Sequence, residues 1–399
     1  MELTFDRLLV GTASDSFDDG IRLDTVLEPL GGPGETVKPA IYAGAVYQAD
    51  RRWPPPEDPH HDTTEPLPVF VIDNVPSQAN RLEEALRRSR DSTGVPEMIL
   101  DLSELPGLPP HLPKRLSSWQ FPHRNADAYL RDSTLEGTDF GKHPIGRDLF
   151  AATAGRAAAL VAWWPQALLY GFWQSHLGKK RSQAKHARAW TSEIIGWQPA
   201  AQDTKVLGLK GDPLNLNIEE SALYEDQDHE SWRLGAKPEK GEVKKALSEL
   251  GHGQVPIGDT TPAAVSFRRV TQRATVSFAQ LRRVELGPEF GEDADSAARA
   301  LLVAMGLHAH TLAFGRGFAL RSGADLRVSS NSATWLGLAD EAVDPLTSET
   351  TTELLNGAKD HARSVGVPLD GWDTEARVLS PKENLTRAIE SSWPLAQED

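Results

Sequence analysis

Residues 67–90 read LPVFVIDNVPSQANRLEEALRRSR and hold a strand and a helix in direct succession. Leu67 to Asp73 is a short run rich in Val, Ile and Phe, of the length and kind that forms a buried strand. Asn74 and Pro76 then open a helix. Asparagine can accept from the unpaired first-turn N–H groups, and proline is tolerated there because its missing N–H would go unbonded anyway. Ala79, Leu82 and Leu86 fall on one face of that helix.

The same alternation continues outward. Residues 149–163 read as an Ala-rich helix stopped before Pro165, and residues 167–173 (ALLYGFW) as a strand. A further helix is predicted from about Ser182 to Ile195, with Ala184, Ala187, Trp190 and Ile194 inward and Arg181, Lys185 and Arg188 as one outer stripe. Val265, Phe267 and Arg269 alternate as in a strand, and Thr271, Arg273 and Thr275 continue the period. Asp295 to Thr311 is helical, with Ala298, Leu301, Leu302 and Met305 inward. Phe314 to Ser329 (FGRGFALRSGADLRVS) reads as a glycine loop entering a hairpin. Ser380, Pro381 and Glu383 supply an N-cap, a first-turn proline and a capping-box acid for a last helix. Strands that alternate with helices and long loops indicate α/β or α+β.

Proline-rich residues 51–66 and 105–114 and the polar, glycine-rich residues 201–260 are read as loops or insertions. A chain of 399 residues accommodates two or three domains, or one with long insertions. It has no cysteine, which excludes disulfides and thiolate metal sites. No export signal is visible, and the richest apolar stretch, Leu149 to Trp173, is broken by Arg156 and Pro165, so a cytoplasmic protein is the default expectation.

The formal net charge is −15, which taken alone disfavours nucleic acid. The charge is segregated, however. Residues 219–230 carry six acids and no Lys or Arg, whereas residues 179–188 and 268–283 each carry five cations and no acid. Such a chain can present a basic groove and remain acidic overall.

Five segments are candidates for RNA contact. Lys179, Lys180, Arg181, Ser182, Lys185, His186 and Arg188 combine phosphate-binding cations with smaller polar groups. Ser77, Gln78, Asn80 and Arg81 sit at a helix N-terminus, where free N–H groups favour phosphate. His123, Arg124 and Arg131 lie near Phe121 and Tyr129, rings that could stack on unpaired bases. Arg269, Gln272 and Arg273 belong to a strand of the kind whose face meets RNA in RNA-recognition sheets. Gly315, Arg316 and Gly317 would let a backbone approach a phosphate; an ordinary turn has the same composition. Phosphate-loop, HExxH and nucleophile-elbow motifs are absent. His60 and His61 beside Asp58 and Asp62 fit a solvated loop better than a metal site. His308 and His310, two apart on a helix, face different ways. His123, His176 and His186 could instead serve a metal-independent RNA endonuclease acting on repeat RNA.

Taken in order, Ser77 to Leu86, Asp127 to Ser133, Leu168 to Trp197 and Arg269 to Arg283 resemble the backbone RAMP subunit (Csb-type) of the type I-G, formerly I-U, CRISPR Cascade effector complex. The resemblance spans roughly residues 1–340. It implies an α+β fold: a modified RRM or ferredoxin-like βαββαβ palm in one elaborated domain over residues 1–399, with thumb and finger insertions, among them 51–66 and 201–260, and a C-terminal helical extension at 341–399. It implies no catalysis and no cofactor. The partners it implies are crRNA, target DNA paired to that guide, further copies of the chain in a filament, a large subunit, a fused end-capping and processing subunit, and a recruited helicase–nuclease.

Overall fold

The computed structural model describes residues 1–392 apart from 45, 56–61, 106–107, 175–183, 201–213, 215, 217–222, 227–230 and 253–262. At its centre is an antiparallel sheet of β1 (Gly20–Pro29), β2 (Ala49–Arg52), β3 (Leu67–Asp73), β4 (Trp190–Pro199), β5 (Val265–Ser277), β6 (Phe318–Ala319) and β7 (Asp325–Leu336). The spatial order is β6-β7-β1-β5-β4-β3-β2, and a short strand β8 (Glu341–Val343) pairs with part of β7. Helix α1 (Val75–Arg88) precedes β4, α2 (Glu292–Phe314) joins β5 to β7, and α3 (Ser348–Ser364) packs on α2. Taken alone, β1-α1-β4-β5-α2-β7 is a βαββαβ unit with its strands ordered fourth, first, third, second, all antiparallel. That is the ferredoxin-like arrangement, so the α+β palm expected from the sequence is what the chain forms. Strands β2 and β3 are inserted between β1 and α1 and widen the sheet beyond β4.

Strand alternation sorts the two faces. Ile21 and Leu23 of β1, Trp190 and Ile194 of β4, and Ala274 and Val276 of β5 are buried on the side covered by α1 and α2. Helix α2 is buried almost along its whole length. Its Gly306 lies so close to β4 that a Cβ there would come within 2.8 Å of the Trp190 ring. By length and hydropathy alone α2, rather than the Leu149–Trp173 stretch, would suit a bilayer; here 83% of its apolar window is enclosed by the fold.

The 67–90 reading holds in detail. The Asn74 side chain accepts from the Ser77 N–H at 3.1 Å, and Ala79, Leu82 and Leu86 are buried. The expected hairpin after α2 is the β6–β7 pair. Four expectations need correction. Residues 149–163 do not form one helix but the end of Pro144–Ala151 and a separate Ala158–Trp163. Residues 165–170 are helical, and only Phe172–Gln174 is a strand. Ser380 and Pro381 close a strand, Arg377–Pro381, and the last helix begins at Glu383. The predicted helix at 182–195 is instead strand Ala184–His186 followed by β4, because β4 is claimed on both sides by β5 and β3 and tertiary pairing overrides a helix-compatible pattern.

A smaller five-stranded sheet lies elsewhere on the chain, ordered Thr138–Asp139, Ser133–Leu135, Arg377–Pro381, Met98–Asp101, Arg115–Ser117. Within 201–260, the described residues include a three-stranded sheet of Leu223–Glu225, Trp232–Leu234 and Val243–Lys244.

Candidate nucleic-acid interface

The side of the sheet away from α1 and α2 is an open cleft of about 590 Å³. Register sets its side chains in rows. Asp24 stands opposite Arg273 and Ser332, and Arg273 stands opposite Glu193. In the neighbouring row Arg22 faces Thr275 and Thr334, and Thr275 faces Thr191. Four arginines (Arg22, Arg52, Arg269 and Arg273) line the cleft against two carboxylates, Asp24 and Glu193. The carboxylates fix three of the guanidinium groups. Arg273 Nε donates to Asp24 at 2.5 Å, Arg22 Nε donates to the same carboxylate at 2.9 Å, and Arg52 forks onto Glu193. The hydrogen bond to Glu193 raises the Arg52 pKa despite desolvation. Trp53, 60% exposed, stands at the rim, and Trp197 donates from Nε1 to Thr271 at 2.8 Å. An array of fixed cations and hydroxyls with rings at its edge is suited to a sugar–phosphate chain and its bases.

The second concavity, about 1100 Å³, brings together two segments that the sequence kept 230 residues apart. Ser77, Asn80, Arg81 and Arg88 of α1 face the exposed Gly315-Arg316-Gly317 loop at the end of α2. Asn331 of β7 lines both this groove and the sheet cleft, so the two meet over β7. A β-bulge prepares that crossing. Val26 pairs with Ser330 but Leu27 with Val328, which leaves Ser329 as the extra residue and restores the alternation beyond it. Residues Ser329 to Ser332 are consequently a run of exposed small polar side chains on a strand.

The α1 N-terminus is not the free anion site expected from sequence. The carboxylate of Asp73, fully buried, already occupies it. Asp73 accepts from Ser77 Oγ at 2.8 Å, Gln78 Nε2 at 2.5 Å, Arg81 Nε at 2.9 Å and Arg321 at 2.9 Å. Gln78 and Gln272 are also internal. Gln272 Nε2 and Ser192 Oγ both donate to Gln78 Oε1, at 2.7 and 2.9 Å, tying β5 and β4 to α1. These two glutamines hold the scaffold together and have no surface to offer RNA.

The remaining expected contacts divide. Arg269 and Arg273 share the open face, as the alternation required. Lys185 and Arg188 line neither concavity; Lys185 is exposed, whereas Arg188, with its outer end in solvent, runs through the helix layer beside Gly171, where partial desolvation and the nearby Arg124 lower its pKa. The cation runs 179–188 and 268–283 therefore do not combine into one basic groove through Arg188 and Arg273: the sheet lies between those two. Lys179, Lys180, Arg181, Ser182 and His176 lie outside the described residues. His186 is buried, bonded through Nε2 to the Leu168 carbonyl at 2.9 Å and stacked on Phe172, which removes it as an exposed acid–base group. Burial lowers its pKa. His123 is exposed, and Arg131 pairs with Asp132 at the edge of the smaller sheet. Phe121 packs inward on Trp164 and Tyr129, so it is unavailable for stacking on a base.

Arg124 is internal machinery too. Its guanidinium grips the buried Glu83 at 2.8 and 2.9 Å and reaches the Gly171 carbonyl at 3.1 Å, with φ held at +52°. Burial raises the Glu83 pKa, and Arg124 opposes that rise. Arg124→Met should lower stability by about 2–3 kcal/mol at pH 7, less than for a fully stranded charge because the carboxyl can take up a proton. A carboxyl raised in the folded state contributes least at high pH, so the variant should regain part of this loss between pH 7 and 5. Urea denaturation at the two pH values checks it; an equal deficit at both would refute the assignment.

Among the residues missed by sequence reading are Arg22, Asp24, Arg52, Trp53, Asp73, Glu193 and Asn331. For Arg22 and Asp24 the period-two pattern was there to be read; the others depend on pairings that sequence does not display.

Residues 21–200 match the family model described as CRISPR-associated protein GSU0053 (Cas_GSU0053). That span runs from β1 through β4 and is 180 of the 399 residues, leaving β5, α2 and β7 outside. Over it the chain is similar to a CRISPR-associated family. No curated protein matches the sequence. Among solved structures, the crystal structure of Thermofilum pendens Csc2 aligns with 86% of this chain and 77% of that one, at 9% identity and a TM-score of 0.30.

Proposed function

We propose that this chain is a non-catalytic, RNA-binding backbone subunit of a CRISPR effector complex, of the Csb-type found in type I-G systems. The observation that carries the reading is the open sheet face with four arginines, three of them held by Asp24 and Glu193, continuous at Asn331 with a groove that holds Arg81, Arg88 and Arg316. The family similarity over residues 21–200 supports the CRISPR setting. In this reading the guide RNA lies along the two concavities, held by its backbone, while base pairing to target DNA supplies specificity. Further copies of the chain would sit side by side along the guide, with the large subunit, the end-capping and processing subunit and the helicase–nuclease as the remaining partners. Segregated charge would let acidic surfaces meet basic ones between copies despite the net −15.

The expected binding is steep in salt and indifferent to sequence. At about 0.7 per phosphate, four contacts give a log–log slope near −3, or about 60-fold weaker binding at 200 mM than at 50 mM salt. Nitrocellulose filter binding with two guides of unrelated spacer sequence measures both properties. A strong spacer preference, or affinity flat in salt, would overturn the reading.

A further inference from the structure

One row of side chains in the sheet cleft alternates in sign. Ser332, Asp24, Arg273 and Glu193 stand side by side on β7, β1, β5 and β4. With strands about 4.8 Å apart, the two carboxylates flank Arg273 at a separation of about 10 Å. Both line the cleft, with side chains 28% and 27% exposed. Each Asp24 oxygen accepts one guanidinium hydrogen bond, from Arg22 at 2.9 Å and from Arg273 at 2.5 Å, and each Glu193 oxygen accepts one from Arg52. An ionised carboxylate has about four acceptor sites, so about two remain on each group. Holding arginines does not by itself require an open position. Asp73 also holds two of them and is fully buried, whereas Asp24 and Glu193 face the cleft.

We propose that Asp24 and Glu193 accept hydrogen bonds from ribose 2′-hydroxyls and so make the cleft select RNA over DNA. The inference rests on the RNA-binding reading and adds to it the two side chains that read the sugar. An ionised carboxylate accepts and cannot donate, so it repels a phosphate and needs a donor beside it. Ser330, Ser332 and Thr334 in the same cleft can donate or accept, and so meet phosphate and hydroxyl alike. The donors on a nucleic-acid strand are base amines, which change with sequence, and the 2′-hydroxyl, which every ribonucleotide carries. A contact indifferent to sequence therefore goes to the hydroxyl. The order of charges agrees, since a phosphate on Arg273 places the neighbouring sugars toward the carboxylates on either side. A DNA strand on the same face would bring its phosphates beside both carboxylates with no donor in return.

The test is filter binding of the full chain to RNA, DNA and 2′-fluoro RNA of one sequence. Fluorine preserves the ribose pucker but cannot donate. DNA and 2′-fluoro RNA should each bind about 10–100-fold more weakly than RNA, as expected for losing a hydrogen bond to a charged group. The salt slope, set by the phosphates, should stay the same. The double variant Asp24→Asn, Glu193→Gln keeps acceptor oxygens for the arginines and removes both charges. Its RNA-to-DNA affinity ratio should fall about 5-fold or more, because a neutral amide binds a hydroxyl more weakly and no longer repels phosphate. If the double variant does not fold, the three wild-type affinities decide alone. Equal affinity for RNA and DNA, 2′-fluoro RNA binding as tightly as RNA, or a ratio unchanged in the folded variant would each overturn the selection by these carboxylates, while the RNA-binding reading stands on its salt slope. Absence of binding to all three strands overturns both.

Discussion

Asp73→Ala should lower the unfolding free energy by about 3–5 kcal/mol, the cost of removing one partner from a buried ion pair. The carboxylate is fully enclosed and receives two guanidinium groups, a hydroxyl and a carboxamide. Without it, Arg81 and Arg321 face one another, and Gln78 loses the bond at the end of the chain that reaches Ser192 and Gln272. Arg321 also binds the carbonyls of Lys38 and Ile72, and Arg81 that of Leu320, so the loss spreads to the β6–β7 hairpin and the segment before β2. Both arginines are about one-quarter exposed and can turn partly toward water, which places the expectation at the lower end of that range. For a chain of 399 residues the melting temperature should fall by roughly 4–6 °C. Asp73→Asn keeps an acceptor for Ser77 and should cost about half as much. Chemical denaturation of the three proteins decides the matter; a loss under about 1 kcal/mol for Asp73→Ala would show that the arginines are held by something else.

The contrast between β5 and β4 shows where sequence reading stops. In β5, Val270, Gln272, Ala274 and Val276 alternate cleanly with Thr271, Arg273 and Thr275, so both the strand and its open face were legible. In β4 the run Trp190 to Trp197 satisfies a helical spacing as well as a strand one, and what decides between them is pairing with β3, over a hundred residues earlier, and β5, some eighty residues later. The same limit governs the site. Ser77, Gln78 and Arg81 carry the right chemistry for phosphate, and only the fold reveals a carboxylate already lodged among them. Conversely, Gly315-Arg316-Gly317 gave a weak signal alone and gains meaning because α2 delivers it opposite Asn80 and Arg88. Cation runs mark surfaces, but which runs share a surface depends on the fold: register puts Arg273 on the open face, while Arg188, just before β4, sits beside Gly171, Arg124 and Glu83 in the helix layer.

That division yields the largest functional effect. Arg269→Gln combined with Arg273→Gln should weaken RNA binding by about 100-fold at moderate salt, taking each charge-assisted contact at about 1.5 kcal/mol. The salt slope should become shallower by about 1.4, two phosphates at about 0.7 each. The fold should survive, because Arg22 still neutralises Asp24 at 2.9 Å and Arg52 still holds Glu193. Circular dichroism melting supplies that control. Lys185→Glu, a charge reversal on the Phe172–Gln174/Ala184–His186 ribbon, is the comparison, since Lys185 is exposed but lines neither concavity. It should cost under about 5-fold, as for a charge that acts only through the general field. Salt titrations of both variants separate local contact from bulk charge. If the reversal at Lys185 matched the double neutralisation in affinity and in slope, the RNA would be answering to overall charge, and the ordered arginines of the sheet face would have no special part in holding it.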